Sequence, residues 1–246
     1  MANVTSRQNP LYKRIRRAID EHSDEIVIEG PKAVDDAIAR GWKAIHVLRR
    51  DVDLSPALFD SLAETKTPQS VIGLFERPSF ADIFSNRDRI VVALDAVQDP
   101  GNVGTIVRLA AAFDAAGVVL LPGSADAYGP KAIRASVGAI LSVPVLSMSR
   151  DELIDRQWPL FAADAKGDAI DPPSRGAVLV FGSEGSGLSE EIEQHATKIA
   201  IPMSDRVESL NVAASAAILL ARSYALRPRG GQAPSPVQSR HGARLS

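Results

Sequence analysis

The sequence predicts an α/β protein: a parallel sheet with helices on both faces, preceded by a smaller α/β unit. Three observations carry this. Short apolar runs alternate with stretches of helical period along most of the chain. One of the runs, Ile90–Leu94 (IVVAL), is apolar without alternation, as expected of a strand buried on both faces, and Ala177–Phe181 (AVLVF) is a second strong strand. Between the two regions, Glu76–Arg89 holds Pro78, Ser79 and several charges, and reads as a boundary.

In the first region, Arg7–Arg17 (RQNPLYKRIRR) reads as a basic helix with no acid before Asp20. Glu25–Ile28 suits a strand. Gly30-Pro31 opens a helix, because proline is well placed at a first helical position, and Gly41 stops it. Ile45–Leu48 is a second strand. Ser55-Pro56 starts a helix through Leu58, Phe59 and Leu62, and Val71–Phe75 is a third strand, making a βαβαβ unit.

The second region begins with the Ile90–Leu94 strand and a helix from about Val103 to Ala116, ended by Gly117. Strands follow at Val118–Leu121, Val143–Leu146, Leu160–Ala163, Ala177–Phe181 and Lys198–Ile201. Helices are expected at Pro130–Ile140, after Ser149, after Ser189 and over Asn211–Leu226. Such alternation implies a parallel sheet covered on both faces. From Arg227 on, Pro, Gly, Ser, Gln and Arg dominate, a composition that buries too little apolar surface to fold. The expected division is 1–80, a small α/β domain, 88–228, a larger α/β domain, and 229–246, a disordered tail.

Composition narrows the function. The 246 residues are 45% hydrophobic and 24% charged, which is ordinary for a globular chain. There is no cysteine, which excludes disulfides, thiolate nucleophiles, iron–sulfur clusters and cysteine-bound zinc. The four histidines share no helical ligand spacing, so no metal is expected. No apolar run approaches the ~20 residues that span a bilayer. Met1–Pro10 is polar and followed by basic residues rather than an apolar segment, so a cytoplasmic protein is expected. The net charge of −2 provides no global attraction for nucleic acid, but RNA binding needs only a local basic surface. Arg7, Lys13, Arg14, Arg16 and Arg17, with Lys131, Arg134 and the arginines of the C-terminal tail, are candidates for one; the alternative for the N-terminal run is a solvated helix face.

Three loops, each following an expected strand, stand where ligands bind in open α/β sheets. The first is Asp95–Gly104 (DAVQDPGNVG), running into a helix with a lone Arg108 among apolar residues. Asn102 is placed to cap that helix, and Gly104 in its first turn hints at a close backbone approach. Arg108 is either an ion-pair member or a reader of phosphate or ribose oxygens. The second loop is Phe181–Ser189 (FGSEGSGLS). It fails as a phosphate-binding P-loop because Leu188 replaces the lysine, and it lacks GxGxxG, which makes a nucleotide-dependent oxidoreductase remote. Its glycines permit close backbone approach around one acid, Glu184. The third is Ile201–Asn211 (IPMSDRVESLN), in which Ser209 or Asn211 is placed to cap the last helix, and Met203 and Leu210 suit a core.

Taken together, DPGNVGTIVR, FGSEGSGLS and IPMSDRVESLNVAASAAILL resemble the three signature motifs of the SpoU/TrmH family of RNA ribose 2′-O-methyltransferases, in order and spacing over residues 90–226. Ile133–Ala139 resembles the family's segment between the first two motifs, and TSRQNPLYKRIRR with IVIEGPKAV looks like the RNA-binding domain often fused ahead of it. The resemblance implies a SPOUT fold with a C-terminal trefoil knot, a homodimer, S-adenosylmethionine as cofactor, and a structured RNA substrate, ribosomal RNA rather than transfer RNA. It implies cofactor contacts at Gly182, Ile201, Met203 and Leu210. Arg108 would act on the 2′-hydroxyl, Asn102 and Glu184 would position Arg108 or the ribose, and Ser209 and Asn211 would bond to the same constellation. Asp114, Asp205 and Ala213 depart from residues common in the family, and none removes an implied catalytic side chain. The alternatives are a transfer RNA 2′-O-methyltransferase and a non-catalytic RNA-binding or assembly protein on the same fold; the five retained polar residues argue against the latter.

Overall fold

A computed structural model describes residues 4–21, 23–63 and 69–227. The expected tail, 229–246, lies outside them.

The first region forms a three-stranded sheet from β1 (Glu25–Glu29), β2 (Ala44–Arg49) and β3 (Val71–Glu76), with helices α1 (Pro10–Asp20), α2 (Pro31–Ala39) and α3 (Pro56–Leu62). β3 lies between the other two and runs antiparallel to both. The side-chain period of two divides the apolar residues between the faces. Val27, Ile72 and Leu74 pack with Tyr12 and Ile15 of α1 and Phe59 of α3. Ile26, Ile28 and Phe75 point the other way and join α2 in a core shared with the large sheet. Trp42 meets Phe75 edge-on and lies 6.2 Å from Tyr128, across the junction. Arg77 stacks on Tyr128 at 4.7 Å and binds Asp126 at 2.7 Å.

The second region builds a six-stranded sheet from β4 (Val91–Asp95), β5 (Gly117–Leu120), β6 (Val145–Ser147), β7 (Leu160–Asp168), β8 (Val178–Gly182) and β9 (Ala196–Ile199). The order is β6-β5-β4-β8-β7-β9, and every pair is parallel. Helices α4 (Pro100–Ala112), α5 (Pro130–Ser136), α6 (Arg150–Asp155), α7 (Glu190–His195) and α8 (Val212–Ala225) complete it. Val92, Leu94, Leu179 and Phe181 face α4 and α8. Val91, Ala93, Val178 and Val180 face Leu153 of α6 and Ile192 of α7. The expected parallel sheet with helices on both faces is therefore present. The chain leaves β4 toward β5 on one side of the sheet and β8 toward β9 on the other, so the strand order reverses between β4 and β8.

Several local expectations change. The α4 helix starts at Pro100, because proline occupies its first turn and the Asp99 carboxylate accepts the Gly101 N–H at 2.8 Å. It ends at Ala112, and the left-handed residue behind it is Asp114 (φ 51), a residue type whose short polar side chain tolerates that conformation. Gly117 instead begins β5, where a side chain would press on the Pro144 carbonyl at 2.8 Å. The α5 helix stops at Ser136, because Val137 and Gly138 are both left-handed, and resumes as a single turn over Ala139–Leu141.

Gly104 fulfils its hint. A methyl group there would collide with the Ala132 carbonyl oxygen and lie 2.7 Å from the Ala135 Cβ, so α4 and α5 touch backbone to backbone. Gly104→Ala is expected to destabilise the protein by about 1–3 kcal/mol through overpacking, which outweighs the ~1 kcal/mol gain in helix propensity. Urea denaturation checks this; an unchanged or raised midpoint would refute the close-contact reading.

Candidate active site

A cleft of about 410 Å³ opens at the carboxyl ends of β7, β8 and β9, within the size range of small-molecule sites. Gly182, Glu184, Ile201, Met203, Ser209 and Leu210 line it, so all four expected cofactor positions share one cavity with two of the expected catalytic ones. One wall is the loop after β8. Ser183 N–H donates to the Gly187 carbonyl at 2.8 Å, Gly187 N–H returns to the Ser183 carbonyl at 3.1 Å, and the Ser183 hydroxyl accepts the Ser186 N–H at 3.0 Å. This tight return explains Gly182: a Cβ there would lie 2.5 Å from the Gly187 carbonyl group. Its glycine is required first by the loop.

The other wall is the segment from Ile201 to Leu210. The backbone N–H and C=O groups of Ile201, Met203 and Leu210, which line the cleft, make no hydrogen bond to the backbone of other described residues. At the far end Lys198 bonds Asp164 at 3.1 Å and Glu193 at 3.2 Å, and these bonds hold its ammonium above the usual lysine range. Burial pushes the Asp164 carboxyl up, but the Lys166 N–H and the Lys198 ammonium outweigh it and hold the carboxyl down.

A chain of hydrogen bonds connects the three loops beside the cleft. The Asn102 side-chain amide donates to Glu184, and its carbonyl oxygen accepts from the Asn211 amide at 3.3 Å. Asn211 is the cap of α8, its carbonyl oxygen accepting the N–H groups of Ala213 at 2.9 Å and Ala214 at 3.2 Å. Asn102 is not a cap: with Asp99 in that role, its side chain is free to bridge to Glu184 and Asn211. Ser209 is exposed on the cleft and makes no hydrogen bond to the described residues.

Arg108 stands apart. It is exposed on α4, with no hydrogen bond or ion pair among the described residues, and does not line the cleft. Six residues beyond Asn102, it points about 120° around the helix and ~9 Å along it. Within one chain, Asn102 and Glu184 therefore do not hold Arg108.

The basic run is less free than its sequence suggests. Arg14 binds both oxygens of Glu25, its Nε at 2.9 and 3.1 Å, and that partner raises its pKa. Arg16 binds Asp20 at 2.7 Å, and Arg17 lies 3.6 Å from Glu21. Arg7 and Lys13 are exposed and make no ion pair to described residues. Arg134 is exposed on α5 and has a partner of its own, whereas Lys131 is bound to Asp99 at 2.7 Å.

A model of the SpoU rRNA methylase family matches residues 89–221, more than half of the chain. The chain belongs to that family. It is 34% identical over 223 residues to the 23S rRNA (guanosine(2553)-2′-O)-methyltransferase RlmP of Bacillus subtilis, covering 80% of this chain and 88% of that one. It is 38% identical over 194 residues to a 23S rRNA (adenosine(1067)-2′-O)-methyltransferase of Streptomyces laurentii, covering 72% and 71%. Among solved structures, the AdoMet-bound rRNA methyltransferase of Sinorhizobium meliloti superposes with a TM-score of 0.80 at 28% identity, covering 90% of this chain and 96% of that one.

Asp95, at the end of β4, and its partner Arg150, at the start of α6, are not among the site residues that the sequence motifs single out. The signal available was a carboxylate closing an otherwise apolar, doubly buried strand. No described helix is long and apolar enough to cross a membrane, and no described cluster of His, Asp or Glu is suited to a metal.

The dual bonding of Asn211 predicts a split. Asn211→Ala should cost about 1 kcal/mol through loss of the helix cap. Asn211→Ser retains the cap and should leave stability nearly unchanged while cutting the link to Asn102. Equal losses in chemical denaturation would show that the Asn102 bond, not the cap, carries the energy.

Proposed function

We propose that the protein transfers the methyl group of S-adenosylmethionine to a ribose 2′-hydroxyl of ribosomal RNA. The observation that carries this is the cleft at the strand ends with the Glu184–Asn102–Asn211 chain on its rim. The names of the Bacillus and Streptomyces relatives support the substrate class, and the AdoMet-bound Sinorhizobium structure supports the cofactor.

The residues fit that cofactor. Backbone donors and acceptors at Ile201, Met203 and Leu210 suit the edge of an adenine, and Ile201, Leu210 and Val212 supply apolar walls. When bound, S-adenosylmethionine supplies an electrophilic methyl group on a sulfonium sulfur. The remaining work falls to the protein. Glu184, Asn102 and Asn211 fix the rim of the cleft and orient the ribose, which lowers the barrier by removing misaligned encounters. Ser209 offers a hydroxyl to the same site. Arg108 keeps its charge in a protein, so it serves by stabilising the developing alkoxide or the neighbouring phosphate rather than as a base.

The reading extends to organisation. Residues 1–80 serve as the RNA-binding domain and 88–228 as the catalytic domain. The threading of the C-terminal segment into a trefoil knot belongs to the same reading: after β9 at the sheet edge, the chain passes the cleft and returns as α8 against the α4 face. A homodimer is supported by the exposed stripe of small and apolar side chains at Ala111 and Ala112 of α4 and Ala214 and Ile218 of α8. Arg108 lies on that α4 stripe, which links pairing of subunits to catalysis. Absence of metal and membrane partners and a cytoplasmic location accompany this function.

The deciding experiment is methyl transfer from labelled S-adenosylmethionine to unmodified ribosomal and transfer RNA, read by nucleoside mass spectrometry. A 2′-O-methylnucleoside in ribosomal RNA is expected. Transfer only to transfer RNA would overturn the substrate, and cofactor binding without transfer to either would favour a non-catalytic RNA-binding role. Arg108→Ala should lower turnover by about 10²–10³-fold, as loss of one transition-state donor does, while leaving cofactor affinity unchanged by calorimetry. Neutralising Arg7 and Lys13 together should reduce the salt dependence of RNA binding by roughly one unit of log–log slope per lost phosphate contact. Neutralising Arg14, Arg16 and Arg17 should change it less, because their acid partners already compete with phosphate; the reverse ranking in titrations at several salt concentrations would refute this.

A further inference from the structure

We propose that Asp95 and Arg150 act as a positioning pair that sets the Glu184 loop for catalysis. The inference deepens the methyltransferase reading and rests on it for its catalytic half. Asp95 ends β4 with no exposed surface, a costly place for a carboxylate unless donors surround it. Arg150, at the start of α6, binds its Oδ1 through Nε at 2.9 Å and Nη2 at 2.7 Å, and also donates to the Pro122 carbonyl at 2.9 Å. The Oδ2 accepts the Ser189 N–H at 2.7 Å.

The position of Ser189 gives this arrangement its significance. The Glu184 loop leaves the sheet at Gly182 and ends at Ser189. Gly182 is paired in parallel register with Asp95. Asp95 thus holds one foot of the loop through the sheet and the other through its carboxylate. The same ion pair reaches Pro122 in the loop after β5, so the turns following β4, β5 and β8 are fastened around the buried Asp95 carboxylate. Glu184 projects from the loop so anchored to Asn102 on the helix that follows Asp95. Releasing Ser189 would free the downstream foot while leaving the Ser183–Gly187 return intact, so the loop would shift as a unit and carry Glu184 with it.

A pair serving only stability would affect folding without singling out this loop. Asp95→Asn and Arg150→Gln are to be compared with the wild type by hydrogen exchange of the full-length protein and by steady-state kinetics on ribosomal RNA. Expected are about tenfold faster exchange in peptides covering 183–189, no change in peptides covering β3, and a fall in kcat of roughly 10–100-fold with KM for RNA unchanged. Arg150→Lys, which keeps the charge, should recover part of kcat. If Asp95→Asn does not fold, Arg150→Gln, whose side chain is 21% exposed, carries the test. Unchanged exchange at 183–189, or faster exchange with kcat intact, overturns the proposal. Failure of the wild-type protein to methylate RNA would overturn the functional reading instead, and exchange alone would then decide the loop restraint.

Discussion

The constraint on which the molecule depends is the burial of β4 and β8 from both sides. Their side chains have no water on either face, so the two strands are apolar throughout until Asp95 and Gly182. Polar chemistry is confined to the strand ends. The loops after β4 and β8 are bonded to each other, Ser189 to Asp95 and Asn102 to Glu184, and the cleft opens on the other side of β8, toward β7 and β9. The cleft, the asparagine chain and the buried ion pair all follow from that exclusion.

The asparagines show how few groups the site uses. Asp99 takes the capping role on α4, and this frees Asn102 to face two other loops. Asn211 spends its oxygen on the α8 cap and its amide on Asn102. A single amide therefore couples the stability of the last helix to the shape of the rim. Such coupling disfavours a rim that drifts independently of the core, since moving Asn211 uncaps α8.

Much of this was legible in the sequence, for identifiable reasons. The doubly buried β4 appeared as an unbroken apolar run, and Gly104 announced a close approach because glycine is a poor helix former that a helix interior otherwise avoids. Glu184, Ser209 and the four positions expected from the motifs to contact a cofactor line one cavity. What stayed hidden depends on long-range placement. The antiparallel β3 was not visible because local periodicity does not reveal strand direction. The partners of Arg14 and Asp95 lie 11 and 55 residues away in sequence. Arg108 reads as part of the asparagine constellation along the chain, yet helical rotation turns it elsewhere. Asn102 suited a cap in the sequence, but Pro100 in the first turn starts the helix earlier and gives that role to Asp99.

The junction between the two sheets has a consequence for target choice. Ile26, Ile28, Phe75 and Trp42 share a core with the large sheet, and Arg77 is stacked on Tyr128 and tied to Asp126. This is a fused joint rather than a tether. On the RNA reading, a helix gripped near Arg7 and Lys13 would be held at a set span from the cleft. The protein would then choose its nucleotide as a caliper does, by whether a folded RNA offers a ribose at that distance, with base identity entering only afterwards.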